Sequence, residues 1–136
     1  MDLDEFKAVN DLQGHDEGGA VLRRVAQVLR SSTRQTDALG RLGGDEFAAL
    51  LPHTTAGPAA SVLGKLQDNL RQAMRQGGWP VTFSIGAATF EAPAESARAA
   101  LQVADEAMYS VKHSSKDGIS HVVWDGVHAS DGPAGG

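Results

Sequence analysis

The sequence predicts a domain of the α+β or α/β class, in which helices cover one sheet. Two observations support this class: apolar residues recur at helical spacing in three segments, and they alternate at strand spacing in others. In chain order these patterns predict helix, hairpin, helix, strand, helix and strand. The length of 136 residues suits one domain with a buried core.

Three segments have the apolar spacing of helices. In residues 21–29, valines and leucines recur on one face and arginines lie outside it. Residues 63–74 form a second pattern, and Gly77-Gly78 marks its end. Residues 97–111 form a third, whose alanines favour close packing on a sheet. A shorter helix is predicted just after the acidic start of the chain.

Alternating apolar residues predict three strands, in residues 47–51, 81–87 and 119–124. The pair Gly43-Gly44 precedes the first of them and predicts a β-hairpin. Ser84 lies inside the second without the glycines of a nucleophile elbow, so it is predicted to be a strand residue. The tail, residues 125–136, is polar and rich in glycine. We therefore expect a domain over residues 1–124 and a disordered tail.

Composition excludes several classes of function. The net charge is −5, which argues against a nucleic-acid surface but not against a single nucleotide. The absence of cysteine excludes disulfides and thiolate zinc sites. No apolar run approaches the roughly 20 residues of a membrane span, and the acidic start is unlike a signal peptide. A cytoplasmic location is therefore expected.

The hairpin carries two acids, Asp45 and Glu46, directly after its glycines. Without a Cβ the glycines let a ligand approach, and two carboxylates repel each other unless a cation lies between them. With a third acid, Asp2 or Asp4, they would suit Mg²⁺ and a triphosphate. Gly and Asp are also common turn residues, so a solvated turn is the alternative on these residues alone.

The start of the chain also predicts a gap. Only Met1 precedes Asp2, whereas a central strand would normally run into such an acid. The first strand is therefore expected to be truncated, with an open slot in the sheet and unpaired edges. Either a partner chain supplies a strand by swapping, or the sheet closes differently, or Asp2 is displaced. Asp4 is expected to be a helix N-cap or a solvated acid.

Four blocks of sequence resemble the GGDEF family, the diguanylate cyclases. They are "DLDEFKAVNDLQGHDEGGAVL", "RLGGDEFAALLP", "VTFSIGAA" and "ADEAMYSVKHSSKDG", and they span roughly residues 2 to 120 in the family's order. The resemblance implies a central, mostly antiparallel sheet flanked by helices, like nucleotide-cyclase and polymerase palms. It also implies condensation of two GTP into cyclic di-GMP, with Mg²⁺ or Mn²⁺, in bacterial signalling.

The resemblance implies several partners. A homodimer brings two GTP molecules together, a sensor domain lies upstream in a longer protein, and the product acts as an allosteric inhibitor.

The resemblance also assigns the site residue by residue. The metal ligands would be Asp2, the Leu3 carbonyl and Asp45, and Glu46 would act at the metal and the 3′-hydroxyl. The residues that would hold GTP are the amides of Glu5, Phe6 and Lys7, with Asn10 on guanine, Gly43 and Gly44 near the α-phosphate, and Lys112 on the phosphates. Arg34 and Asp37 match the family's inhibitory product site.

Three departures qualify this assignment. Gly19 stands where the family has an acid that binds guanine, so we expect weaker or less selective GTP binding. Lys116 lacks the guanidinium fork of the family's arginine, and Asp117 could repel phosphate. The family's first elements are absent. The alternative function is a catalytically impaired domain that binds GTP or cyclic di-GMP and regulates a partner.

Overall fold

The computed structural model describes residues 1–134. In chain order the helices and strands of these residues are β1 Asp2–Asp4, α1 Phe6–Gln13, α2 His15–Ser31, β2 Ala38–Gly43, β3 Glu46–Leu50, α3 Ala56–Gly77, β4 Thr82–Phe90, α4 Ala97–Lys112, β5 Gly118–Trp124 and β6 Ala129–Asp131. The predicted α+β class is confirmed. No helix within this part of the chain is both long enough and apolar enough to cross a bilayer.

The strands form one sheet in the order β2-β3-β1-β4-β5-β6. Neighbouring strands are antiparallel except β4 and β5, which run parallel. A parallel pair needs a crossover connection, and α4 supplies it between these two strands. The prediction of a mostly antiparallel sheet flanked by helices is confirmed.

Strand alternation gives the two faces of the sheet different roles. Leu3, Phe83 and Ile85 face a core that they share with α1, α2 and α3. The alternate residues of β4 face α4, and there Gly86 lies against the α4 backbone so closely that any side chain would collide. Because Asp2 and Asp4 flank Leu3 in β1, both acids lie on the α4 face.

The centre of the sheet is occupied by the chain's own β1. Asp2 pairs with Glu46 on one side, and residues 2–4 pair with residues 82–84 on the other. The expected open slot is therefore filled at this end of the sheet. Beyond Ser84, no strand within residues 1–134 pairs with this edge of β4.

The prediction of a disordered tail was wrong for its middle part. Ala129–Asp131 forms β6, which pairs antiparallel with residues 122–124 of β5. The amide of Gly132 also donates to the His121 carbonyl at 2.7 Å. This pairing was missed because the segment is polar and lacks the alternation of a half-buried strand. Residues 135 and 136 lie outside the described residues.

Candidate active site

The hairpin tip meets β1 at the predicted acids. Asp2 is the Cα partner of Glu46 at the start of β3. The amide of Leu3 donates to the Asp45 carbonyl at 3.1 Å, which ties the turn to β1. The fold thus brings together two residues of β1, Asp2 and Leu3, and two residues of the hairpin, Asp45 and Glu46.

The surroundings of this junction oppose ionisation of Asp45. Burial, and then the charge of Asp2, raise the pKa of Asp45 above its ordinary value. Oδ1 of Asp2 is buried and has no hydrogen-bond partner among the described residues. Its Oδ2 lies 3.3 Å from Nζ of Lys112. A buried carboxylate oxygen without a partner and a second acid beside it are features that a bound cation would relieve.

The donors at the junction suit Mg²⁺ only in part. Within residues 1–134, no group of three or more Asp, Glu, His or Cys side chains is placed to hold a metal. Two carboxylates and the Leu3 carbonyl are hard oxygen donors, and Mg²⁺ commonly keeps waters and substrate phosphates as its other ligands. The residues therefore fit a metal that a bound nucleotide shares.

The beginning of α1 offers free amides beside this junction. Glu5, just before the helix, has a left-handed φ of 64°, and no side chain caps the first turn. Uncapped amides at a helix start suit an anion. The Glu5 carboxylate points instead to Lys116, whose Nζ lies 2.8 Å from it. Of the three predicted amide residues, Phe6 has its side chain fixed in the core, whereas Glu5 and Lys7 are exposed.

Lys112 reaches the junction from the last turn of α4. Its Nζ donates to the Leu3 carbonyl at 3.2 Å and lies 3.4 Å from Oδ1 of Asp4. With the contact to Asp2, the ammonium has three oxygen partners on β1. The structure thus places Lys112, the predicted phosphate ligand, in contact with Asp2 and Leu3, two of the predicted metal ligands.

Asp4 is a structural acid, and sequence reasoning missed this. The residue is 0% exposed and accepts hydrogen bonds from Thr82 (2.8 Å), Ser84 (2.7 Å) and the amide of Asp117 (3.0 Å). Burial raises its pKa, but these bonds and Lys112 outweigh burial, so the pKa lies below its ordinary value. The expected N-cap or solvated acid was wrong. The polar pair Thr82 and Ser84, on one face of an apolar strand, was the available signal.

The turn after α4 is tied to Asp4 and to α3. The Asp117 carboxylate pairs with Arg71 at 3.2 Å, while its amide donates to Asp4. Lys116 and Asp117 both have left-handed φ values, of 53° and 41°. The negative charge of Asp117 is therefore paired with an arginine, and its predicted repulsion of phosphate stays a prediction.

The hairpin glycines face open space. A Cβ at Gly43 or Gly44 would meet nothing within 4 Å. The carbonyls of both glycines accept hydrogen bonds from the Arg41 guanidinium, at 2.8–3.2 Å, which braces the turn. The fold does not require glycine for packing here, so the space is available to a ligand.

The predicted base-binding residues lie where α1 and α2 meet. The carboxamide of Asn10 lies against Gly18, where any side chain would collide with it. Gly19 follows with no side chain. Asn10 therefore lies against the residue that precedes the position of the missing acid.

The predicted inhibitory pair lies in the turn between α2 and β2. The guanidinium of Arg34 donates to Asp37 (3.0 Å), the Pro52 carbonyl (2.9 Å) and Thr54 (2.8 Å). Hydrogen bonds from the Arg34 side chain and amide hold the pKa of Asp37 below its ordinary value. The pair is formed. It lies before the start of β2, whereas the acids of the hairpin tip follow the end of that strand.

Comparison with known proteins identifies relatives of this domain. The family described as "Diguanylate cyclase, GGDEF domain" matches residues 1–118. Diguanylate cyclase A of Treponema denticola is 33% identical over 123 residues, which are 88% of this chain and 33% of that protein. The chain thus spans about a third of the length of this curated relative.

Solved structures of GGDEF domains are also similar to this chain. The crystal structure of the GGDEF domain of YfiN from Pseudomonas aeruginosa superposes with a TM-score of 0.71 and 32% identity, covering 88% of this chain and 77% of that one. The GGDEF domain of DgcB from Caulobacter crescentus, solved in complex with c-di-GMP, gives 0.75 and 29%, covering 88% and 73%.

Proposed function

Because the chain belongs to the GGDEF family, the diguanylate cyclases, we propose that it condenses two GTP molecules into cyclic di-GMP and releases two pyrophosphates. The observation that carries this proposal is the junction of Asp2 and Asp45. There an unpartnered buried carboxylate oxygen and an acid of raised pKa lie beside the uncapped start of α1. Such a junction suits a cation on one side and phosphates on the other.

The metal would be Mg²⁺ or Mn²⁺, held by Asp2, the Leu3 carbonyl and Asp45. When bound, it would polarise the α-phosphate and favour ionisation of the 3′-hydroxyl. The chain's own groups position the reactants: the amides of Glu5, Phe6 and Lys7 hold the β- and γ-phosphates.

The side chains around the metal site add charge and base recognition. Lys112 provides positive charge at the phosphates, and Glu46 accepts from the 3′-hydroxyl. Gly43 and Gly44 let the α-phosphate approach the hairpin. Asn10 hydrogen-bonds the base.

Each domain holds one GTP, so catalysis requires a homodimer in which the 3′-hydroxyl of one nucleotide attacks the α-phosphate of the other. Cytoplasmic GTP is the substrate. Since the chain covers only a third of its curated relative, a sensor domain upstream would control how two domains meet. A strand supplied by a partner chain along β4 beyond Ser84 is a further element of this proposal.

Product inhibition would use Arg34 and Asp37. An arginine fork suits phosphate and the acceptor edge of guanine, and a carboxylate suits the guanine N–H groups. In this structure Arg34 already donates to three groups, so the ligand must replace some of these bonds. Loss of saturable cyclic di-GMP binding in Arg34→Ala would support the assignment, whereas unchanged binding would contradict it.

The experiment that tests the function is a product assay. The purified chain is incubated with GTP and Mg²⁺, and cyclic di-GMP and pyrophosphate are measured by chromatography. We expect both products in the wild type and neither in Asp45→Ala or Glu46→Ala. Asp68→Ala, on the exposed face of α3, is the matched control. Turnover that survives both site changes would contradict the site.

The second candidate is a receptor for GTP or cyclic di-GMP without turnover. Gly19 favours it, because the position offers no side chain to the base. A wild type that makes no product but binds cyclic di-GMP through Arg34 would support this alternative.

A further inference from the structure

The space beside Gly19 is occupied by an arginine. A Cβ built at Gly19 would lie 3.2 Å from Nη1 of Arg23, one turn further along α2. Side chains on a helix lean toward its N-terminus, so Arg23 covers the turn that contains Gly19. The absent acid is thus replaced in space by a cation.

Arg23 has its donors available. Its side chain is exposed, and within residues 1–134 it makes no hydrogen bond and no ion pair. Its neighbour Arg24, by contrast, donates to Gln27 at 3.3 Å and Gln76 at 3.5 Å. Only the first of these two arginines is free for a ligand.

Arg23 also borders an open groove between α2 and the hairpin. The groove encloses about 320 Å³ and has an apolar floor that includes Leu22, Leu29 and Phe47. Arg30 and Arg41 stand on its rim, and no acid lines it. A flat apolar ring that carries hydrogen-bond acceptors fits such a floor and rim.

Arg23, which lines this groove, also lies close to the predicted base contact. Asn10 lies against Gly18, and Arg23 lies against the next residue, Gly19. Because the two side chains lie against consecutive residues of α2, a base held by Asn10 would extend toward the guanidinium.

The chemistry of arginine determines which edge of a base it can bind. A guanidinium is a donor only, whereas an aspartate at position 19 would be an acceptor only. Guanine presents two acceptors, O6 and N7, on one edge, and a bidentate arginine is their commonest partner. Adenine presents a donor beside N7, which an arginine repels.

We propose that Arg23 is the specificity-determining residue of this domain and binds the guanine base of GTP through O6 and N7. With glycine at position 19 and the Arg23 guanidinium beside it, base recognition moves from the N–H groups to the acceptor edge. This inference rests on the proposed function, because it places the GTP base at Asn10.

The test compares nucleotide affinities in a Glu46→Gln background, in which the proposed reaction is blocked. Calorimetry with Mg²⁺ measures the Kd of GTP, inosine triphosphate, 7-deaza-GTP and ATP. Inosine triphosphate keeps O6 and N7, 7-deaza-GTP lacks N7, and ATP lacks O6. Arg23→Ala is expected to weaken GTP and inosine triphosphate equally, on the order of tenfold. It should change 7-deaza-GTP and ATP far less.

Two matched variants sharpen the result. Arg24→Ala removes the neighbouring charge and should leave all four Kd values unchanged. Gly19→Asp restores the acid, which can pair with Arg23, and should make inosine triphosphate bind more weakly than GTP because the 2-amino group is then recognised. Since Arg23 is exposed, thermal melting should confirm that Arg23→Ala folds normally.

The possible outcomes distinguish failure of the Arg23 proposal from failure of the proposed cyclase function. Equal loss for all four nucleotides in Arg23→Ala, or no loss for any, would overturn the role in base recognition while GTP binding and turnover still supported the cyclase. Failure of every nucleotide to bind the wild type would overturn both.

Discussion

Asp2 and Asp4 lie two residues apart on one strand and on the same face of the sheet, yet their surroundings differ. Asp4 is fully buried and receives three hydrogen bonds and a lysine contact. Asp2 keeps one buried oxygen without a partner and lies beside Asp45, whose pKa it raises. The hydrogen bonds of Asp4 are complete within the fold, whereas Asp2 pairs with Lys112 through one oxygen and keeps a buried oxygen that a bound cation would relieve. Spacing along a strand therefore does not distinguish a structural acid from a candidate metal ligand, whereas hydrogen-bond partners do.

The largest expected effect is on stability, from Asp4→Ala. The change leaves Thr82, Ser84 and the Asp117 amide unpaired in a buried site and removes one partner of Lys112. Breaking a buried charged network costs about 3–5 kcal/mol. Urea denaturation should measure this loss, with Asp68→Ala close to the wild type. A loss below about 1 kcal/mol would contradict the structural role.

Asp45→Asn should reduce activity without reducing stability, in contrast to Asp4→Ala. Activity should fall by about 10²–10³-fold, because a group that stabilises charge in the transition state is lost. Stability in the absence of divalent metal should not fall, since the repulsion with Asp2 is relieved. Initial rates of pyrophosphate release and urea denaturation measure the two quantities. If Asp45→Asn destabilised the fold as strongly as Asp4→Ala, the contrast between the two regions would be lost.

The two regions should also respond to pH with opposite signs. The pKa of Asp4 is lowered in the fold, so its contribution to stability is present above about 3.8 and is lost as pH falls through the folded value. The pKa of Asp45 is raised, so its carboxylate destabilises the fold as pH rises above about 3.8 toward the folded value.

Denaturation of the wild type and Asp45→Asn across pH measures this difference. The variant should gain stability over the wild type as pH rises, and Mg²⁺ with GTP should reverse the order. Parallel pH curves for the two proteins would argue against a raised pKa.

The smallest effect is expected from single hydroxyls around Asp4. Thr82→Val removes one hydrogen bond of 2.8 Å and keeps the shape of the side chain. The free energy of unfolding should fall by about 1 kcal/mol, and the Km for GTP should hardly change. A Km that rises tenfold with unaltered stability would instead place Thr82 at the substrate.

Much of the fold could be predicted from local patterns. Apolar periodicity located α2, α3 and α4, and the alternation around Ile85 located β4. The hairpin followed from its glycine pair. These features depend on neighbours in sequence, so a single sequence contains them.

Features that depend on distant contacts could not be predicted in this way. The role of Asp4 is set by β4 and by the turn at Asp117, which are about 80 and 113 residues away in the chain. The strand β6 depends on the edge that β5 offers. Arg23 lies over Gly19 because side chains on a helix lean toward its N-terminus, but no sequence motif marks this contact.

The most direct test of the metal site is the pKa of Asp45, measured by NMR titration of its carboxyl carbon with and without Mg²⁺. Without divalent metal, the account predicts a value above the ordinary aspartate range, because Asp2 and burial oppose ionisation. Saturating Mg²⁺ should lower it below that range, because the bound cation favours the carboxylate. An ordinary pKa that Mg²⁺ leaves unchanged would contradict the account.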